Sequence, residues 1–200
     1  MTAAKKLELL DWQDYLRGEE SAQRRHEFVH GFVYAMAGGT YEHSLIATNI
    51  VGALMKRLGQ GRCRVLNSDF KVRIRTDRGI RFYYPDCSVF CTQIAPNSLF
   101  ADEPVVVVEV LSPSTRRLDQ GEKREGYLSI PSLAVYLLVD SERSQVALWR
   151  RRGANFDSEA YTDAAASIAL PEIGVELPLV EIYANVDWTS LPASDEESDA

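Results

Sequence analysis

The chain has 200 residues, 46% of them hydrophobic, and a formal net charge of -7. That is enough apolar material for a substantial core in one domain, and no apolar run is long enough to span a bilayer. The acidic balance argues against a uniformly basic nucleic-acid binder, and three cysteines, an odd number without metal-binding spacing, argue against a disulfide framework.

In chain order, the amino terminus around Lys5 and Lys6 lacks the apolar core of a secretory signal, so a cytoplasmic protein with no membrane partner is expected. Leu9 to Leu16 reads as a short amphipathic helix and Glu27 to Met36 as a strand. Gly38-Gly39 breaks the pattern before a helix from about Tyr41 to Leu58, with His43 in its first turn. Strands are expected near Arg64 to Arg75, Arg81 to Cys91 and Pro104 to Leu111, the first two joined by a turn at Thr76-Asp77-Arg78-Gly79. Cys87 and Cys91 fall in an apolar run and read as buried free thiols. A helix follows from about Thr115 to Leu128, capped by Ser114 or Thr115 and brought to its end by Gly126 and Pro131. Ala134 to Val139 and Gln145 to Arg151 form a hairpin around Ser141-Glu142-Arg143-Ser144. The expected architecture is α/β, a mixed sheet flanked by helices, as one domain over residues 1–190 with an acidic tail at 191–200.

The run Val105-Val106-Val107-Val108 ends in an acid, Glu109. Side chains two apart on a strand share a face, so Val105, Val107, Glu109 and Leu111 point one way and Val106, Val108 and Val110 the other. Both faces are apolar, which places the strand centrally and makes its terminal carboxylate a ligand at a cleft rather than a packing residue. A second acid stands at Pro85-Asp86, and the following helix carries Asp119, Lys123 and Tyr127 at four-residue spacing along one face. Two acids and a lysine are the parts of a metal-dependent phosphodiester-cleaving site. A block from Lys56 to Arg81 holds nine basic residues (Lys56, Arg57, Arg62, Arg64, Lys71, Arg73, Arg75, Arg78 and Arg81) against Asp69 and Asp77. It reads either as a phosphate-contacting surface or as the charged face of a strand pair.

These stretches resemble the PD-(D/E)xK nuclease superfamily and, within it, the Uma-two family of restriction endonucleases. The likeness rests on Tyr84-Pro85-Asp86, on Val108 to Thr115, on Asp119 with Lys123 and Tyr127, and on Tyr136 to Asp140. It extends to Glu27, Gly31, Tyr34 and His43 upstream and to Val180-Glu181-Ile182-Tyr183 downstream. The resemblance implies a restriction-endonuclease-like fold with Asp86, Glu109 and Lys123 as catalytic residues. Glu27, His43, Asp119 and Tyr127 support them. One departure matters: the strand position where the superfamily has its lysine holds Leu111, and Lys123 on the neighbouring helix is the substitute the family implies. Hard cations such as Mg²⁺ or Mn²⁺ prefer oxygen donors, so Asp86, Glu109 and the Val110 carbonyl form the expected metal set.

The expected activity is metal-dependent hydrolysis of DNA by a homodimer, since one such site cuts one strand. Two other readings share the same residues: a nuclease-fold binding module that has lost catalysis, for which Leu111 is the sign, and a hydrolase of other phosphate esters.

Overall fold

The structure, a computed structural model, describes residues 9–36, 38–112 and 119–188. Along the chain these form α1 (Trp12–Glu19), β1 (His26–Val29), β2 (Phe32–Ala35), α2 (Tyr41–Leu58), β3 (Arg64–Asn67), β4 (Lys71–Thr76), β5 (Gly79–Tyr83), β6 (Cys87–Phe90), β7 (Phe100–Ala101) and β8 (Val106–Leu111). A π-helical segment (Asp119–Lys123) runs into α3 (Arg124–Leu128), followed by β9 (Val135–Asp140), β10 (Val146–Arg152), β11 (Asn155–Tyr161), β12 (Ser167–Leu170), β13 (Val175–Pro178) and α4 (Leu179–Ile182).

The strands make a five-stranded sheet in the order β2-β1-β5-β4-β7, a six-stranded sheet in the order β11-β10-β9-β8-β6-β3, and the pair β12-β13. β8 is central in the larger sheet and buried along its whole length. It pairs in parallel with β9, so the chain between them must cross over, and the π-helical segment and α3 lie on that connection. The two faces of β8 sort as strand alternation requires. Val106, Val108 and Val110 join a core with Ile46, Ile50 and Leu54 of α2 and with Leu179 and Ile182 of α4. Val107 and Leu111 join a second core with Val72, Ile74 and Tyr83 of the smaller sheet and Tyr127 of α3. Val105 precedes the strand and packs with the first core, against its expected direction. A third cluster, Tyr15, Leu16, Phe28 and Phe82, seats α1 on the outer face of the smaller sheet.

The sequence blurred several boundaries. α1 begins three residues later than expected, where the Asp11 side chain accepts the Gln13 amide at 2.8 Å and caps the helix. The expected strand Glu27 to Met36 is a hairpin: His30 and Gly31 take φ of 51° and 94°, and Val29 pairs with Phe32 across a two-residue turn. The expected strand Arg64 to Arg75 is divided between sheets, β3 pairing with β6 and β4 with β5. The turn at Thr76 to Gly79 joins β4 to β5. Of the helix expected from Thr115, residues 113–118 lie outside the described residues, as does the tail at 191–200.

Cys91 is not a free thiol. β3 and β6 pair Arg64 with Phe90, so the next residues outward, Cys63 and Cys91, face each other with Cα atoms 4.0 Å apart and form a disulfide. Cys87 is the buried free thiol, and burial pushes its pKa up. Of the basic block, Lys71 and Arg73 are buried, whereas Lys56, Arg62, Arg64, Arg75 and Arg78 are exposed. Arg73 is buried and makes two 2.6 Å hydrogen bonds to Asp102, and Arg57 makes bonds of 2.8 and 2.6 Å to Glu181. Among the described residues no helix is long and apolar enough to cross a membrane.

Candidate active site

Between β5 and β6 the chain passes from the smaller sheet to the larger, and Tyr84-Pro85-Asp86 spans that passage. Asp86 therefore sits at the seam of the two sheets, beside the end of β8. Its Oδ2 accepts the Val110 amide at 2.7 Å and lies 3.2 Å from His43 Nε2. His43 is held by the first turn of α2, where the Thr40 hydroxyl accepts its amide at 3.3 Å. A backbone N–H and an imidazole thus fix the Asp86 carboxylate from two elements.

Glu109 faces the core between the sheets and is only 3% exposed. The hydroxyl of fully buried Tyr127 donates to Glu109 Oε1 at 3.0 Å. Burial, and after it the charge of Glu109, raises the Tyr127 pKa well above its ordinary value, so the phenol acts as a hydrogen-bond donor and not as a base.

Lys123 closes the arrangement. Its Nζ is 2.8 Å from Glu27 Oε1 and 3.7 Å from Glu109 Oε1, within a site where the lysine side chain is 7% exposed. The ammonium also lies 5.4 Å from the centre of the Tyr83 ring. Glu27 Oε1 accepts the Tyr84 amide at 3.4 Å, tying β1 to the segment that carries Asp86. Asp119 opens the π-helical segment whose last residue is Lys123. Such segments recur at functional sites because they re-aim a side chain within a helix.

The helix carrying these groups approaches the smaller sheet closely at Gly126. A Cβ there would lie 3.1 Å from Arg81 Nη1 and 3.3 Å from Ile74 Cδ1. Glycine thereby lets α3 settle where Lys123 and Tyr127 both reach Glu109. Three further groups brace this contact; Tyr83 and Glu122 were not singled out from sequence, and Arg81 was named only within the basic block. Arg81 Nη1 donates to the Glu122 carbonyl at 3.2 Å, and the Tyr83 hydroxyl donates to Glu122 Oε1 at 3.3 Å. Burial, then the Glu122 charge, raises the Tyr83 pKa. Their adjacency in sequence to Tyr84-Pro85-Asp86 and to Lys123 was the available signal. On the far side, Glu19 accepts the Tyr84 hydroxyl at 3.0 Å and stands 3.1 Å from His26 Nδ1.

Glu27, Tyr34, His43, Asp86, Glu109 and Lys123 line one cleft of about 1200 Å³. Among the described residues no group of three His, Cys, Asp or Glu side chains is placed to hold a metal ion. Mg²⁺ does not require one: it keeps several waters and is commonly held by one or two carboxylates and the phosphate it serves. The donor chemistry of Asp86 and Glu109, two carboxylates on one cleft, fits such an ion.

Comparison with known proteins bears on the family and the fold. The Uma2 family, described as "Putative restriction endonuclease", matches residues 12–180. An uncharacterized protein of Synechocystis sp., slr1290, is 33% identical over 172 residues, covering 86% of this chain and 90% of that protein. Another from the same organism, sll1609, is 29% identical over 148 residues, covering 72% of this chain and 82% of its own. A crystal structure from Anabaena variabilis, described as a "putative nuclease belonging to DUF820", superposes with a TM-score of 0.70 at 17% identity, covering 86% of this chain and 96% of that one. The shared fold is the restriction-endonuclease-like mixed α/β architecture expected from the sequence.

Proposed function

The chain belongs to the Uma2 family, and from that premise we propose that it is a Mg²⁺-dependent endonuclease that hydrolyses DNA phosphodiester bonds by attack of water. One observation carries the reading: the Lys123 ammonium stands 2.8 Å from Glu27 and 3.7 Å from Glu109, on the same cleft as Asp86. It supplies from a helix the charge that Leu111 does not supply from the strand.

Asp86 and Glu109, with the Val110 carbonyl beside them, would hold the ion. When bound, Mg²⁺ would polarise the phosphate and lower the pKa of a water. The chain's own groups do the rest. The Val110 amide and His43 keep the Asp86 carboxylate in one orientation, and Tyr127 does the same for Glu109. Glu27 holds Lys123, whose fixed positive charge offsets the charge that develops on the phosphate as the bond to water forms. Burial of the acids and the lysine strengthens each of these interactions relative to water. A homodimer would carry two such sites.

A second reading, a binding module without turnover, draws on Leu111, which is 4% exposed and packed in the core between the sheets. Nicking of supercoiled plasmid separates the two. The nuclease reading expects Mg²⁺-dependent nicking that falls at least a hundredfold in Lys123→Ala. DNA retention without cleavage in Mg²⁺ or Mn²⁺ supports the module.

A further inference from the structure

β2 is an edge strand of the smaller sheet and is exposed along its whole length, with Phe32 at 43% and Tyr34 at 54%. Edge strands of soluble proteins are ordinarily blunted by charge or proline, and this one reads Phe-Val-Tyr-Ala. Its register with β1 sets Tyr34 opposite Glu27 and Phe32 opposite Val29. Directly opposed residues share a sheet face with Cβ atoms about 5 Å apart. Glu27 is the partner of Lys123, and Glu27, Val29 and Tyr34 all line the cleft. Tyr34 therefore stands on the cleft wall one strand away from the carboxylate that holds the lysine. Exposed Arg24 and Arg25 line the same cleft just before β1, Arg25 in an ion pair with Asp69.

A charge centre for one phosphate, an exposed ring beside it and cations further along match what an unpaired strand presents: a phosphate, its neighbouring base, and the next phosphates. Resting on the nuclease reading, we propose that Tyr34, flanked by Phe32, is a stacking platform for the base next to the scissile phosphate, and that the preferred substrate is single-stranded or locally unpaired DNA. Every base has a π face, so such a platform is tolerant of sequence. A paired base inside a duplex is already stacked on both sides and does not reach the ring.

The test is fluorescence anisotropy on the full chain with Ca²⁺ replacing Mg²⁺, using a labelled thymidine dodecamer and its duplex with the complementary strand. Wild type is expected to bind the single strand more tightly than the duplex. Tyr34→Ala should weaken single-strand binding about tenfold and Tyr34→Phe should preserve it. The effect of Tyr34→Ala should disappear on a dodecamer of abasic sites, which keeps the phosphates and removes the rings. Equal affinity of wild type and Tyr34→Ala for the single strand would overturn the platform while leaving the nuclease reading intact. So would light scattering that shows Tyr34→Ala splitting a dimer at unchanged DNA affinity, since the edge would then serve a second copy. Binding of neither DNA by wild type would remove both.

Discussion

Replacing Lys123 with methionine keeps most of the side chain's volume and removes an ammonium that lies 2.8 Å from Glu27 and 3.7 Å from Glu109. Both carboxylates are nearly inaccessible, at 6% and 3% exposure. Deleting one member of a buried ion pair costs about 3–5 kcal/mol, because the remaining charge keeps its desolvation penalty and loses its compensation. Here two carboxylates lose the same cation, so the cost belongs at the upper end of that range. Glu27→Gln is milder, about 1–2 kcal/mol, because the lysine keeps Glu109 and the amide oxygen still accepts a hydrogen bond. The double variant should be more stable than the sum of the two losses allows, by roughly 1–3 kcal/mol, since it removes the cation and one of its acids together. Urea unfolding with EDTA present reads all four proteins, the comparison resting on midpoints at constant slope. A Lys123→Met loss below about 1 kcal/mol, or strict additivity, would refute a buried Lys123-centred charge cluster.

Tyr127→Phe removes the donor to Glu109 and should cost about 1.5–3 kcal/mol, the range for a hydrogen bond to a charged acceptor, again by urea unfolding. Gly126→Leu pushes α3 against Arg81 and Ile74; a loss of roughly 1–3 kcal/mol, together with slower nicking, is expected because the same shift withdraws Lys123 from Glu109. Burial raises the pKa of Asp102, but the hydrogen bonds and charge of Arg73 outweigh it and hold the carboxyl below its usual range. That contribution is present in full above the ordinary carboxylate pKa of about 3.9 and is lost as pH falls below it. Asp102→Asn should therefore lose about 1 kcal/mol at pH 7, a modest figure because this carboxyl is 36% exposed. The gap in melting temperature between variant and wild type should close in strong acid.

The parts of the site that sequence revealed are those set by local rules. A β-branched run ending in a carboxylate reads as a central strand reaching a cleft, as β8 is from Val106 onward, and Lys123 and Tyr127 meet Glu109 because residues four apart share a helical face. What escaped depends on where the chain changes sheets. Asn67-Ser68-Asp69 and Pro85-Asp86 mark breaks, but a break does not show that the flanking strands belong to different layers, and the second passage is what puts Asp86 beside Val110. The partners of the basic block are hidden for a similar reason. Asp102 and Glu181, the acids that pair with Arg73 and Arg57, stand 29 and 124 residues away in sequence. The disulfide depends on the register of β3 with β6, which the 28-residue separation of Cys63 and Cys91 does not disclose. Glu27 was legible as a site acid only through the family resemblance; that it holds Lys123 follows from β1 lying against the passage that carries Tyr84 and Asp86.

The most direct measurement is calorimetric titration of Mg²⁺ into wild type and Asp86→Ala, with plasmid nicking followed on the same samples. The account predicts that wild type binds the ion and nicks, and that both are lost in a variant that remains folded. Nicking that survives Asp86→Ala, or a folded wild type that neither binds Mg²⁺ or Mn²⁺ nor nicks, would contradict it.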